Sequence, residues 1–138
     1  MQTWLIDTGP LVAFFDRSDS MHTEVKERLN SFQGRLCTTG AVICEAMHFV
    51  PRVPDGPGKL AEFVIASGLD IFESTRPEQI RPAVELMNKY HDTPMDFADA
   101  TLVLLAEEIS IRDILTLDRR GFRTYRTSKG RAFRSIIG

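Results

Sequence analysis

The stretch Thr3-Trp4-Leu5-Ile6-Asp7-Thr8-Gly9-Pro10-Leu11-Val12 decides the fold. An apolar run closes on an acid and then on Gly-Pro, the pattern of a buried strand whose carboxyl end carries a polar group before the chain turns. Thr8 suits the N-cap of a following helix and Pro10 its first turn, while Leu11, Val12, Phe14 and Phe15 supply an apolar face.

The alternation begun there continues. Ser20 to Phe32 reads as a helix with Val25, Leu29 and Phe32 at helical spacing, and Arg35 to Thr38 as a short strand. Thr38 or Thr39 can cap a helix from Ala41 to Val50 that Pro51 stops, and residues 51–58, with three prolines and two glycines, read as a loop. Leu60 to Ala66 resumes helical periodicity. A strand over Leu69 to Glu73 precedes helices over Pro77 to Tyr90 and Asp96 to Ile109, and Ile114 to Leu117 is a buried strand ended by Asp118. Phe122 to Tyr125 is expected as a short edge strand, and the chain from about residue 126 as a basic, weakly structured tail. Strands alternating with helices predict an α/β fold: a three-layer α/β/α sandwich with a mainly parallel central sheet, forming one domain over residues 1–138. Ligands of such sheets gather at the carboxyl ends of the strands, where Asp7 and Asp118 fall.

Composition agrees with one globular domain. The 138 residues are 43% hydrophobic and 26% charged, and no apolar run approaches the roughly 20 residues of a membrane span. The N-terminus lacks the basic flank and apolar core of a signal peptide, so a cytoplasmic location is expected. Cys37 and Cys44 have no cysteine or histidine at zinc-ligand spacing, and a disulfide between them is not expected. The net charge of −2 hides an asymmetry: from Arg112 onward 8 basic residues face 2 acidic ones, leaving an acidic body with a basic end.

The acids carry the chemistry. Taken singly, Asp7 and Asp118 read more readily as turn or capping residues than as members of a site. Glu45 lies mid-helix among Val42, Ile43, Cys44, Ala46 and Met47, where a carboxylate is costly to bury unless paired or bound to a metal. Asp96 and Asp99 stand three apart on one helix face, Asp96 at the expected N-cap and Asp99 a turn deeper. Acids at the edges of four apolar elements could converge on a divalent ion, and oxygen-only ligands suit magnesium or manganese. Phosphodiester hydrolysis would follow, needing no protein nucleophile; neither a Gly-x-Ser-x-Gly elbow nor a credible Cys-His pair is present.

On four motifs in order, the chain resembles PIN-domain proteins, in particular the VapC-type ribonuclease toxins of toxin-antitoxin pairs. They are Leu5-Ile6-Asp7-Thr8-Gly9-Pro10-Leu11, Cys44-Glu45-Ala46, Asp96-Phe97-Ala98-Asp99-Ala100 and Leu115-Thr116-Leu117-Asp118-Arg119-Arg120-Gly121-Phe122. The resemblance implies an endoribonuclease whose metal quartet is Asp7, Glu45, Asp99 and Asp118, with Asp96 as an extra acid that ligates through water or only caps its helix. Thr8 and Thr116 resemble residues that orient the site. A homodimer and a separate antitoxin protein covering the active site are also implied, for which the apolar residues around Phe14, Phe15 and Phe49 to Val53 offer a surface. Arg119 and Arg120, beside Asp118, are candidates for holding the RNA backbone. A phosphatase using Asp7 as nucleophile is a rival, but Gly9 stands where that pattern wants a second acid. The other rival is a PIN fold that binds RNA or protein without cutting.

Overall fold

Each apolar run ending in a polar residue becomes a parallel strand, and the segment after it crosses over as helix, because parallel neighbours cannot be joined by a tight hairpin. The computed structural model describes residues 1–137. Its strands are β1 (Gln2–Ile6), β2 (Gly34–Thr39), β3 (Asp70–Phe72), β4 (Asp113–Leu115) and β5 (Arg134–Ser135), in the sheet order β3-β2-β1-β4-β5, all parallel. The central strand β1 pairs Leu5 with Cys37 on one side and Ile6 with Leu115 on the other. Helices α1 (Thr8–Ala13), α2 (His22–Ser31), α3 (Gly40–Phe49), α4 (Gly56–Ser67), α5 (Pro77–Lys89), α6 (Phe97–Ile109) and α7 (Arg119–Thr124) fill the connections. The predicted α/β class with a parallel central sheet is thus the observed one.

The core joins Leu5, Ile6, Ile114 and Leu115 of the sheet to Leu11 of α1, Val42 of α3 and Leu102 of α6, each with no exposed surface. Each such side chain contributes about 1.5–3 kcal/mol relative to exposure. Helix α6 is apolar nearly all round, burying Ala98, Ala100, Leu102, Val103, Leu105 and Ala106, which explains why no helical stripe marks it in sequence. Cys37 is buried, Cys44 exposed, and both are free thiols.

Four local expectations are corrected. Residues 122–124 are not an edge strand; they belong to α7, whose turn Asp118 initiates by accepting a hydrogen bond from the Gly121 amide at 3.0 Å. Phe122 and Tyr125, three apart, then fall on one buried helical face. The edge strand is Arg134–Ser135, within the tail expected to be weakly structured. It is held by main-chain pairing with β4 and by Arg134, whose Nε and Nη2 both lie 2.7 Å from the Asp113 carboxylate. The N-cap of α1 is Asp7 and not Thr8. Within the expected loop 51–58, a 3-10 turn (Val50–Arg52) folds the chain back and α4 starts at Gly56, where a Cβ would stand 1.9 Å from the Val50 carbonyl oxygen.

Candidate active site

Asp7 leaves the end of β1 with only 6% of its surface exposed, because its backbone is still laddered to β4 through the Asp7 amide and the Leu115 carbonyl. Burying a carboxylate demands partners. Oδ1 accepts from the Thr8 amide at 2.8 Å and Oδ2 from the Thr116 hydroxyl at 2.8 Å. That hydroxyl in turn accepts from the Asp118 amide at 2.9 Å, so one threonine ties the acids after two neighbouring strands together. The Asp118 carboxylate is fixed by the Gly121 amide, and a Cβ at Gly121 would lie 2.3 Å from Asp118 Oδ2. A side chain there would have to displace the Asp118 carboxylate and the Tyr125 ring.

Asp96 and Asp99 answer their mutual repulsion with a reciprocal cap. Asp96 Oδ1 accepts from the Asp99 amide at 2.8 Å, and Asp99 Oδ2 from the Asp96 amide at 3.2 Å. Asp96 is exposed and Asp99 buried. Glu45 projects half-buried from the middle of α3. All five acids, with Thr8, line one open cleft of about 400 Å³ at the carboxyl edge of the sheet. The sequence-predicted Asp7, Glu45, Asp96, Asp99 and Asp118 are therefore brought together from segments up to 111 positions apart in a 138-residue chain. Thr116 stands behind them as their hydrogen-bonding hub. Arg119 and Arg120 lie exposed on α7, outside the cleft lining.

The cleft also holds Asp19 and Arg52, which sequence reasoning missed, and Phe49, expected only as part of an apolar surface. Asp19 looked like one more polar residue in a turn, where it does accept from the Met21 amide at 2.8 Å. Arg52 sat in a proline-rich loop, and only the return of the chain through the 3-10 turn brings it here. Gly121 had no signal beyond its place in the Asp118 motif.

Burial raises the Asp7 pKa to about 6 against the hydrogen bond from Thr116, which lowers it. Burial also pushes Asp99 up to about 8, with repulsion from Asp7, Asp96 and Asp118 adding to it. Glu45 is raised as well, chiefly by burial. The Thr8 hydroxyl is fully buried; it sits near enough to Glu45 to favour that carboxylate but makes no well-formed hydrogen bond. The carboxylates and the unpartnered Thr8 hydroxyl are the oxygen groups that could hold a cation here. Among the described residues no three carboxylate, imidazole or thiolate groups are closed up as a ready ligand set. An all-oxygen cleft of this openness fits a hard cation that keeps several of its waters, as magnesium does.

A family model, "PIN domain", matches residues 4–127. The chain belongs to the PIN-domain family. This PIN domain is 32% identical over 133 residues to Ribonuclease VapC26 of Mycobacterium tuberculosis, covering 96% of the chain and 98% of that relative. Its backbone superposes on the crystal structure of Mycobacterium tuberculosis VapC20, described as a sarcin-ricin loop cleaving toxin, with a TM-score of 0.75 at 18% identity, over 87% of this chain and 92% of that one. The likeness to VapC toxins read from the four motifs therefore holds across nearly the whole PIN domain. No helix among the described residues is long and apolar enough to cross a membrane.

Proposed function

We infer that this PIN domain, as a single nuclease unit, is a divalent-metal-dependent endoribonuclease and the toxin of a two-protein toxin-antitoxin pair. The observation that carries the reading is the convergence of Asp7, Glu45, Asp99 and Asp118, from four separate segments, on one cleft of a chain similar to a VapC ribonuclease over 96% of its length. These four residues would hold the ion, magnesium or manganese, with Asp96 fixing Asp99 through the reciprocal cap. When bound, the ion supplies charge neutralisation for the phosphodiester and makes a water acidic enough to act as nucleophile near neutral pH.

The chain's own residues do the positioning. Thr116 donates to Asp7 Oδ2, leaving Oδ1 against the Thr8 amide and the carboxylate plane fixed. Gly121 lets the α7 backbone close on Asp118. Arg119 and Arg120, on the helix that Asp118 caps, would hold RNA backbone beyond the cleft. A homodimer, and an antitoxin covering the cleft, complete the reading by analogy with the toxins it resembles. The rival reading, a PIN fold that binds without cutting, draws on the absence of a ready-closed ligand trio among the described residues.

The deciding experiment is cleavage of a labelled structured RNA pool with magnesium or manganese, with chelator, and with Asp7→Asn. Metal-dependent cutting lost in Asp7→Asn supports the nuclease. Intact RNA after incubation with folded wild-type protein, across several RNAs, would favour the binding module.

A further inference from the structure

Arg52 ends the 3-10 turn between α3 and α4, and among the described residues it is the one basic side chain lining the carboxylate cleft. Its side chain is 58% exposed yet held from two directions. Nη2 lies 3.7 Å from Asp16 Oδ2, and the guanidinium carbon stands 5.8 Å from the centroid of the Phe49 ring, itself part of the cleft wall. Asp16 is a firm anchor. Its Oδ1 accepts from the Ser18 hydroxyl at 2.6 Å and the Ser18 amide at 3.0 Å. A long, exposed ion pair of this kind adds little to stability, so it does not by itself account for a guanidinium at this place. What it does is restrict a flexible side chain before anything binds, which lowers the ordering cost of a later contact.

The surroundings say what that contact is. Six carboxylates, from Asp7, Asp19, Glu45, Asp96, Asp99 and Asp118, line the same cleft, and they repel a polyanion even after one divalent ion is bound. A planar guanidinium at the rim, weakly hydrated and with several donors free of its single carboxylate partner, matches the paired oxygens of a phosphate. We propose that Arg52 binds a backbone phosphate of the RNA strand lying across the cleft, next to the phosphodiester that the carboxylate cluster addresses. The proposal rests on the ribonuclease reading and places a phosphate contact on the α3–α4 turn, inside the cleft lining that Arg119 and Arg120 do not reach.

The test is steady-state cleavage of a fluorescent single-stranded oligoribonucleotide, with magnesium or manganese, by wild type, Arg52→Gln and Arg52→Lys over a series of salt concentrations. Arg52→Gln should raise KM about tenfold with kcat within about threefold, the size of one charged contact made equally in ground and transition states. Its salt dependence of log kcat/KM should be shallower by about 0.7, the counterion released per phosphate contact on a single strand. Arg52→Lys should restore the slope and recover only part of KM. Thermal melts within about 2 °C of wild type establish that the variants are folded. Unchanged KM and slope in Arg52→Gln, or a loss confined to kcat, overturns this assignment alone. Folded wild-type protein that cuts no RNA overturns it together with the ribonuclease reading.

Discussion

Replacing Asp99 by Asn should make the metal-free protein more stable at slightly alkaline pH while destroying cleavage. The folded-state pKa of Asp99 stands at about 8 against an ordinary 3.8, because the carboxyl is 8% exposed and faces Asp7, Asp96 and Asp118. A raised carboxyl pKa contributes stability that is complete below pH 4 and is lost as pH rises through 8. At 1.36 kcal/mol per unit, the full loss is roughly 6 kcal/mol. Water entry and side-chain relaxation recover much of this, leaving a gain of about 2 kcal/mol for a neutral isostere whose amide oxygen still accepts from the Asp96 amide. The assay is urea unfolding in chelator at pH 5 and pH 8, supported by melts, in which 2 kcal/mol corresponds to about 6 °C. The gap between variant and wild type should widen from pH 5 to pH 8. Saturating magnesium should narrow or reverse it, since an ion at a hundred times its Kd stabilises by about 2.7 kcal/mol and the variant has lost a ligand. A variant less stable than wild type in chelator at pH 8, or a gap independent of pH, would refute the reasoning.

Three further outcomes are expected. Thr116→Val removes the donor to Asp7 and the acceptor for the Asp118 amide, and should lower kcat tenfold or more at a stability cost of about 2 kcal/mol, read by kinetics and urea titration. Gly121→Ala would gain about 0.5–1 kcal/mol on an open helix surface, but here its Cβ meets Asp118 Oδ2 at 2.3 Å and Tyr125 Cε2 at 2.9 Å; melts should show a loss and cleavage a large defect. Arg134→Gln should lower the melting temperature slightly at pH 7, and because Arg134 holds the Asp113 carboxyl below its usual range, that loss should vanish in melts as pH falls through the lowered pKa of Asp113.

The sheet and most of the acidic cleft were legible because both rest on one local signal, an apolar run that stops at an acid. β1 with Asp7 and β4 with Asp118 carry it plainly, and Glu45 carries its counterpart, a carboxylate set in an apolar helix. The reading failed where specific hydrogen bonds and packing, not local composition, decide the conformation. Phe122 to Tyr125 have the composition of a strand, but Asp118 captures the Gly121 amide and starts a helix that takes in residues 122–124 and ends at Tyr125. Arg134–Ser135 becomes a strand only because β4 offers an unpaired edge beside it. Arg52 is invisible as a cleft residue because a 3-10 turn, determined by packing of Gly56 on Val50, carries it there. The repulsion expected between Asp96 and Asp99 was real, but its answer in paired backbone hydrogen bonds depends on a helix terminus being in place.

The hydrogen bond from Thr116 to Asp7 joins residues 109 positions apart, and β1 finds its β4 partner only through Leu5 with Ile114 and Ile6 with Leu115. In a chain made from its N-terminal side, Asp7 therefore precedes by more than a hundred residues the segment that completes its surroundings. Domains generally fold as units, and fragments that stop short of β4 leave one edge of the central strand β1 without its partner. They cannot assemble the acidic cleft.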